Sequence, residues 1–163
     1  MDSKMFAGRA IQIEKQLRLA FPSNPVPTEH RRENGVVDWE VEEDLQRILG
    51  KAWLEVTIED WTHMVNPAFI RSGTRTEFFK YYVPSILTCV LSAVERVDQL
   101  ALSALLPNNP KREPRDEWRV FRNSFSPVQV EAIIAFLEWV KEATDPTSSD
   151  WHGADAALNG LWG

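Results

Sequence analysis

Residues 125–143 read FSPVQVEAIIAFLEWVKEA, and this stretch decides the fold class. Ser126 is a strong helix cap. Pro127 takes the first helical position, where its missing amide costs nothing, and Gln129 completes a capping box. Val130, Ile133, Ile134, Leu137 and Val140 then recur every three or four residues, with Glu131, Ala135, Glu138 and Glu142 on the wet side. Phe136 and Trp139 widen the apolar face. The stretch predicts a centrally packed helix.

The same spacing extends in both directions. Downstream, a last helix begins near Ser149 or Asp150, with Trp151, Ala154, Leu158 and Leu161 inward. Upstream, Thr74-Arg75-Thr76-Glu77 has the form of a capping box, and Phe79, Val83, Ile86, Val90, Val94 and Val97 follow at helical spacing. Pro84 removes one amide and crowds the Lys80 carbonyl, so a kink is expected there. A further apolar helical stretch covers 98–106 and ends at Pro107. In the polar connector 108–124, with Pro110 and Pro114, only Trp118-Arg119-Val120-Phe121 suits a short strand or helical turn.

Near the amino end Phe6, Ala10, Ile13, Leu17 and Phe21 mark an amphipathic first helix that Pro22 terminates. Pro22, Pro25 and Pro27 then hold an extended or turning segment that runs as a polar loop to Gly35. Asp38 can cap a second helix with Val41, Leu45, Ile48, Leu49 and Ala52 inside, which Gly50 loosens or ends. Thr57-Ile58-Glu59-Asp60 starts a third, and Asn66-Pro67 closes it. No alternating run is long enough for a sheet. The expectation is an all-α single domain, residues 1–163, of about six short helices. Its helix at Pro84 is kinked, and polar loops cover about 22–37 and 107–125.

The chain has 163 residues, 44% hydrophobic and 26% charged. At this length a folded chain buries roughly 68–70% of its unfolded surface, so one core suffices without disulfides or metal. Such a composition excludes collagen, low-complexity disorder and disulfide scaffolds, and it names no reaction. The net charge of −6 works against whole-surface attraction to nucleic acid or an anionic bilayer. Cys89, the single cysteine, lies in an apolar run and fits a reduced, cytoplasmic chain. Met1-Asp2-Ser3-Lys4 lacks the pattern of a signal peptide, and the apolar run 83–94 falls short of a membrane span. A monomer or homodimer without cofactor, nucleic-acid or membrane partner is expected.

The order of short motifs resembles a bacterial family of small uncharacterised proteins, a domain family of unknown function. The motifs are Ala20-Phe21-Pro22, an acidic helix leading to Gly50-Lys51-Ala52-Trp53, and Phe78-Phe79-Lys80-Tyr81-Tyr82-Val83-Pro84. Phe125-Ser126-Pro127-Val128-Gln129, with Phe136-Leu137 downstream, and Ala157-Leu158 before Trp162 complete the set, spanning about 13–162. The chain departs from the pattern at Ile70-Arg71-Ser72-Gly73, where an apolar residue leading directly into a cap is expected. The resemblance implies the helical fold and carries no activity or catalytic residue.

No nucleophile elbow, phosphate-binding glycine loop, His-Glu-x-x-His or Cys-x-x-Cys occurs. Glu59 and His63 share a helix face, but a zinc site needs three or four ligands, and His30 and His152 are distant in the chain. A solvent-facing pair worth a few tenths of a kcal/mol is the favoured reading. Tyr81 and Tyr82 beside Pro84 either pack as core and rim or line a small pocket together with that pair.

Charge is the most unequal feature. Residues 33–60 hold nine acids (Glu33, Asp38, Glu40, Glu42, Glu43, Asp44, Glu55, Glu59, Asp60) against Arg47 and Lys51, a local charge of −7. Residues 111–122 carry five bases against three acids. A solvated face and a plain loop would account for both. The sharper reading is a non-enzymatic protein-binding module whose acidic helix, Glu40, Glu42, Glu43 and Asp44 with Trp39 as anchor, engages a basic partner. An immunity-type protein covering a cationic site is one form of it. A small hydrolase or ligand-binding protein with a pocket at Glu59, His63, Tyr81 and Tyr82 is the alternative, and a self-associating structural protein a third. Of seven tryptophans, Trp53 and Trp139 are expected to be buried.

Overall fold

The structure, a computed structural model, describes residues 3–33 and 38–163, with side chains from Ala7 onward. Among the described residues it is all-helical, with nine α-helices, two 3₁₀ turns and two π-helical stretches. The expected count of about six is too low, because short caps and prolines divide the chain more finely than apolar spacing reveals. Asn34, Gly35, Val36 and Val37, where the first polar loop was expected to end, lie outside the described residues, as does the side chain of Phe6.

Helix α1 (Ser3–Ala20) buries Ile13 and Leu17, and Phe21 follows it into the core. It packs along α8 (Pro127–Ala143), which in turn packs against α9 (Ser149–Ala157). The expected box forms at the start of α8: Ser126 N donates to Gln129 Oε1 at 3.0 Å, and Gln129 N to Ser126 Oγ at 3.3 Å. Gln129 Nε2 also reaches Ala20 O at 3.2 Å, so one side chain closes one helix and opens another. Ala132, Ile133, Phe136, Leu137, Trp139 and Val140 are buried on α8, and Ser148 caps α9.

Helix α5 (Thr76–Leu91) is buried over most of its circumference, as a central helix must be, and runs through Pro84. It ends at Leu91, earlier than the apolar spacing implied, because Ala93 leaves helical torsions (φ −149°, ψ 65°). Val94–Arg96 then makes a single 3₁₀ turn, Val97–Leu102 a π-helical stretch and Ser103–Leu105 the short α6. The capping box expected at Thr74 does not form. Thr74 is fully buried and its hydroxyl donates backward to Ile70 O at 2.6 Å, so Arg75 takes the cap position without a side-chain bond.

That hydroxyl closes α4 (Pro67–Gly73), a helix the apolar spacing did not reveal. Asn66-Pro67 begins this helix rather than merely ending α3 (Ile58–Thr62). Asn66 caps through Ala68 N at 3.0 Å, with Pro67 in the first turn. Helix α3 starts after Thr57 as expected, through a capping box between Thr57 and Asp60. Asp38 caps α2 (Trp39–Leu45), which stops five residues before Gly50 and continues as turns to the positive φ of that glycine (81°). The connector expected at 107–125 contains α7 (Asp116–Asn123), folded because Trp118 and Phe121 bury one face of it.

Arg71, the departure from the family-like pattern, lies in the core, 2% exposed. Its Nη1 donates to Ser103 O, Ala104 O and Leu106 O at 2.9–3.0 Å and its Nη2 to Asn108 Oδ1 at 3.0 Å. Trp118 Nε1 and Trp162 Nε1 share Leu105 O at 3.3 and 2.9 Å. The last carbonyls of the α6 segment, orphans at any helix end, are thus satisfied by one cation and two indoles. Burial pushes the Arg71 guanidinium below its usual value while Glu117, 3.5 Å from Nε, opposes the shift.

Candidate interaction surface

Two short helices build the most distinctive part of the surface. Asp38 Oδ1 accepts from Glu40 N at 2.9 Å, which sets the first turn of α2 and leaves Trp39 projecting, 73% exposed. On α4, Ile70 and Phe69 are neighbours a hundred degrees apart, so burying Ile70 turns Phe69 outward, 63% exposed. Both are large apolar side chains in water, the kind of residue that carries binding energy at interfaces. A cleft of about 480 Å³ lies between the two helices, lined by Val41 and Val65, with Phe69 on one side and Asp38 and Glu40 at its edge.

The acidic residues of α2 do different jobs. Glu42 is held by the His30 imidazole, Nε2 at 2.8 Å, and by the Arg31 guanidinium, Nη2 at 2.6 Å. The hydrogen bond to His30, with Arg31 beside it, keeps the Glu42 carboxyl below its usual range despite partial burial. Asp44 turns inward and accepts from Val65 N at 2.8 Å, tying α2 to the segment before α4. Glu40 and Glu43 are exposed and have no partner among the described residues. Asp60, farther along the run, is used by its capping box and lies 3.6 Å from Lys51. Glu42, Asp44 and Asp60 are therefore used within the fold, whereas the other six acids of the run are exposed, and of these Asp38, Glu40 and Glu43 stand beside Trp39.

The second set of expected residues is differently placed. Tyr82 is buried and its hydroxyl lies 2.8 Å from Lys51 O and 3.1 Å from Ile48 O. The Tyr81 hydroxyl donates to Ser23 O at 2.6 Å and accepts from Trp53 N at 3.1 Å. Both serve as struts between α5 and the turns on either side of α2, and burial pushes both phenols above their usual value. His63 Nδ1 bonds the main-chain oxygen of Glu59 at 2.7 Å, not its carboxylate. Cys89 is half-buried and its thiol is pushed up to about 11, so it is a thiol at neutral pH. Trp53 and Trp139 are buried as expected.

Phe69 was missed by the sequence reading. Its signal was the Asn66-Pro67 cap, which sets the α4 register and hence the outward turn of position 69. Among the described residues no three His, Cys, Asp or Glu side chains gather as metal ligands do, and no helix is long and apolar enough to cross a membrane. No curated protein and no solved structure matches the chain. A family model does: residues 32–162 match the family of unknown function DUF6714, and the chain belongs to that family.

Proposed function

We propose that this chain is a non-enzymatic protein-binding module that engages a basic partner through the outer face of α2 and the cleft beside Phe69. An immunity-type protein that covers a cationic site is one form such a module takes. The observation carrying the proposal is the pairing of two exposed aromatic side chains, Trp39 and Phe69, with carboxylates that no cation among the described residues neutralises, Glu40 and Glu43. Aromatic anchors supply affinity where they are desolvated, and unneutralised acids steer a cationic partner and reject an acidic one.

The test compares capture from native lysate by the wild-type chain, by Glu40→Lys/Glu43→Lys and by Glu138→Lys, an exposed control on α8. Basic partners lost with the α2 variant, retained with the control and weakened by salt support the proposal. An unchanged partner set for the α2 variant sinks it. Trp39→Ala, which removes only exposed surface, should alter stability by less than about 0.5 kcal/mol while lowering capture.

A further inference from the structure

The cleft between α2 and α4 does not end at Phe69. A second cleft, of about 520 Å³, shares Asn66 and Phe69 with the first and continues over Leu102, Leu106 and Pro107. The Phe69 ring is therefore a ridge with an apolar trough on each side. The first trough is edged by Asp38 and Glu40, and the second is edged by Asp98. No counter-cation within the fold meets Glu40 or Asp98 among the described residues.

Packing adds a second carboxylate at the far end. Gly153 of α9 lies so close to the π-helical stretch that a Cβ there would come within 2.6 Å of Leu102 Cδ1. This approach brings Asp150, one helical turn earlier, to Asp98, one turn before Leu102. Burial and the neighbouring Asp98 together push the Asp150 carboxyl above its usual value. Asp98 lines the trough with the Asp150 carboxyl within electrostatic reach, and two like charges lose repulsion when a cation joins them.

We infer that the occupant of this surface is a segment of a partner protein that lies across the Phe69 ridge. It would place an apolar side chain in the trough and one cationic side chain at each end, the first toward Asp38 and Glu40, the second toward Asp98 and Asp150. This rests on the proposed function and goes beyond it, since a basic partner held by α2 alone needs no second cation. Charge complementarity at both ends and apolar floors between them distinguish such a segment from a free polycation, which would leave the troughs unfilled.

The experiment titrates the full chain with fluorescein-labelled peptides, Arg-(Gly)n-Leu-(Gly)n-Arg with n from one to three, by fluorescence polarisation at low salt. Changing either Arg to Gln should weaken the best peptide about fivefold, the upper range for a solvent-accessible ion pair, and changing Leu to Ser should weaken it further. In Asp98→Asn/Asp150→Asn the dependence on one Arg should vanish while the other keeps its effect. In Glu40→Gln, which leaves the Asp38 cap in place, the other Arg should lose most of its effect. These variants are on the surface, and their melting curves check that they fold.

Binding that needs only one Arg and ignores Asp98→Asn/Asp150→Asn overturns this inference while leaving the basic-partner reading standing. Equal competition by spermidine, which has no apolar side chain, also overturns it, as does no binding by any peptide at millimolar concentration. Loss of the reading itself appears separately, as an unchanged lysate capture by Glu40→Lys/Glu43→Lys.

Discussion

Arg71→Met keeps the length of the side chain and removes its charge and its donors. The change leaves Ser103 O, Ala104 O, Leu106 O and Asn108 Oδ1 without their partner, and the Glu117 carboxylate without its nearest cation. Leu105 O keeps both indoles, so the helix end is not stripped entirely. Removing a buried cation and leaving its carbonyl partners and the half-buried Glu117 carboxylate uncompensated costs about 3–5 kcal/mol, against a total stability of about 5–15 kcal/mol. Water can reach the Asn108 end, because that residue is exposed, and this favours the lower half of the range. With an m-value of about 2 kcal/mol/M in urea, that lower half lowers the midpoint by about 1.5–2 M. Arg71→Lys offers three donors on a point charge instead of a planar fork and should recover about half of the loss. Arg71→Met/Glu117→Gln should be more stable than Arg71→Met alone, since it removes the uncompensated carboxylate. Urea unfolding followed by circular dichroism measures all three. A midpoint shift below about 0.5 M for Arg71→Met would refute the assignment of Arg71 as the cation that closes the α6 segment.

Ile133 is fully buried on α8, and Ile133→Ala should cost about 2–5 kcal/mol; near-wild-type urea unfolding would show the inward face is misplaced. Gly153→Ala should cost about 1–3 kcal/mol, because the new methyl meets the buried Leu102, and Leu102→Val in the same chain should return part of it, as a thermal-melt comparison of the two reads out. The Glu42 carboxyl titrates below its usual value of 4.5 in the folded chain, so its stabilising contribution is complete above about pH 4.5 and is lost as pH falls through the lower folded value. The stability gap between wild type and Glu42→Gln should accordingly be widest above about pH 4.5 and should narrow as pH falls below it, and a gap that stays constant in acid would contradict the His30–Glu42–Arg31 arrangement.

Boundaries made by neighbouring residues were legible from the sequence. The Ser126/Gln129 and Thr57/Asp60 boxes and the Asp38 cap form where the residue types demand, since each bond closes within three residues. The inward stripes of α1 and α8 follow from helical period alone. The Thr74 box failed for the converse reason: its hydroxyl had two local choices, the following helix or Ile70 O behind it. Burial of Thr74 selected the second. Helix α7 was read as connector because eight residues rich in charge carry little periodic signal until Trp118 and Phe121 have a core to enter.

Helical class, the principal caps and the greasy stripes were thus settled by the amino-acid order itself, because they depend on contacts three or four residues apart. Tertiary structure decided which charges are consumed and which remain. It sent Arg71 to carbonyls more than thirty residues away, gave Glu42 to His30 and Arg31, turned Asp44 onto Val65 and left Glu40 and Glu43 in solvent. It also set Phe69 outward beside Trp39 by burying Ile70. A carboxylate's partner is fixed by distance in space, which falls off over a few ångströms, and no spacing along the chain encodes that distance.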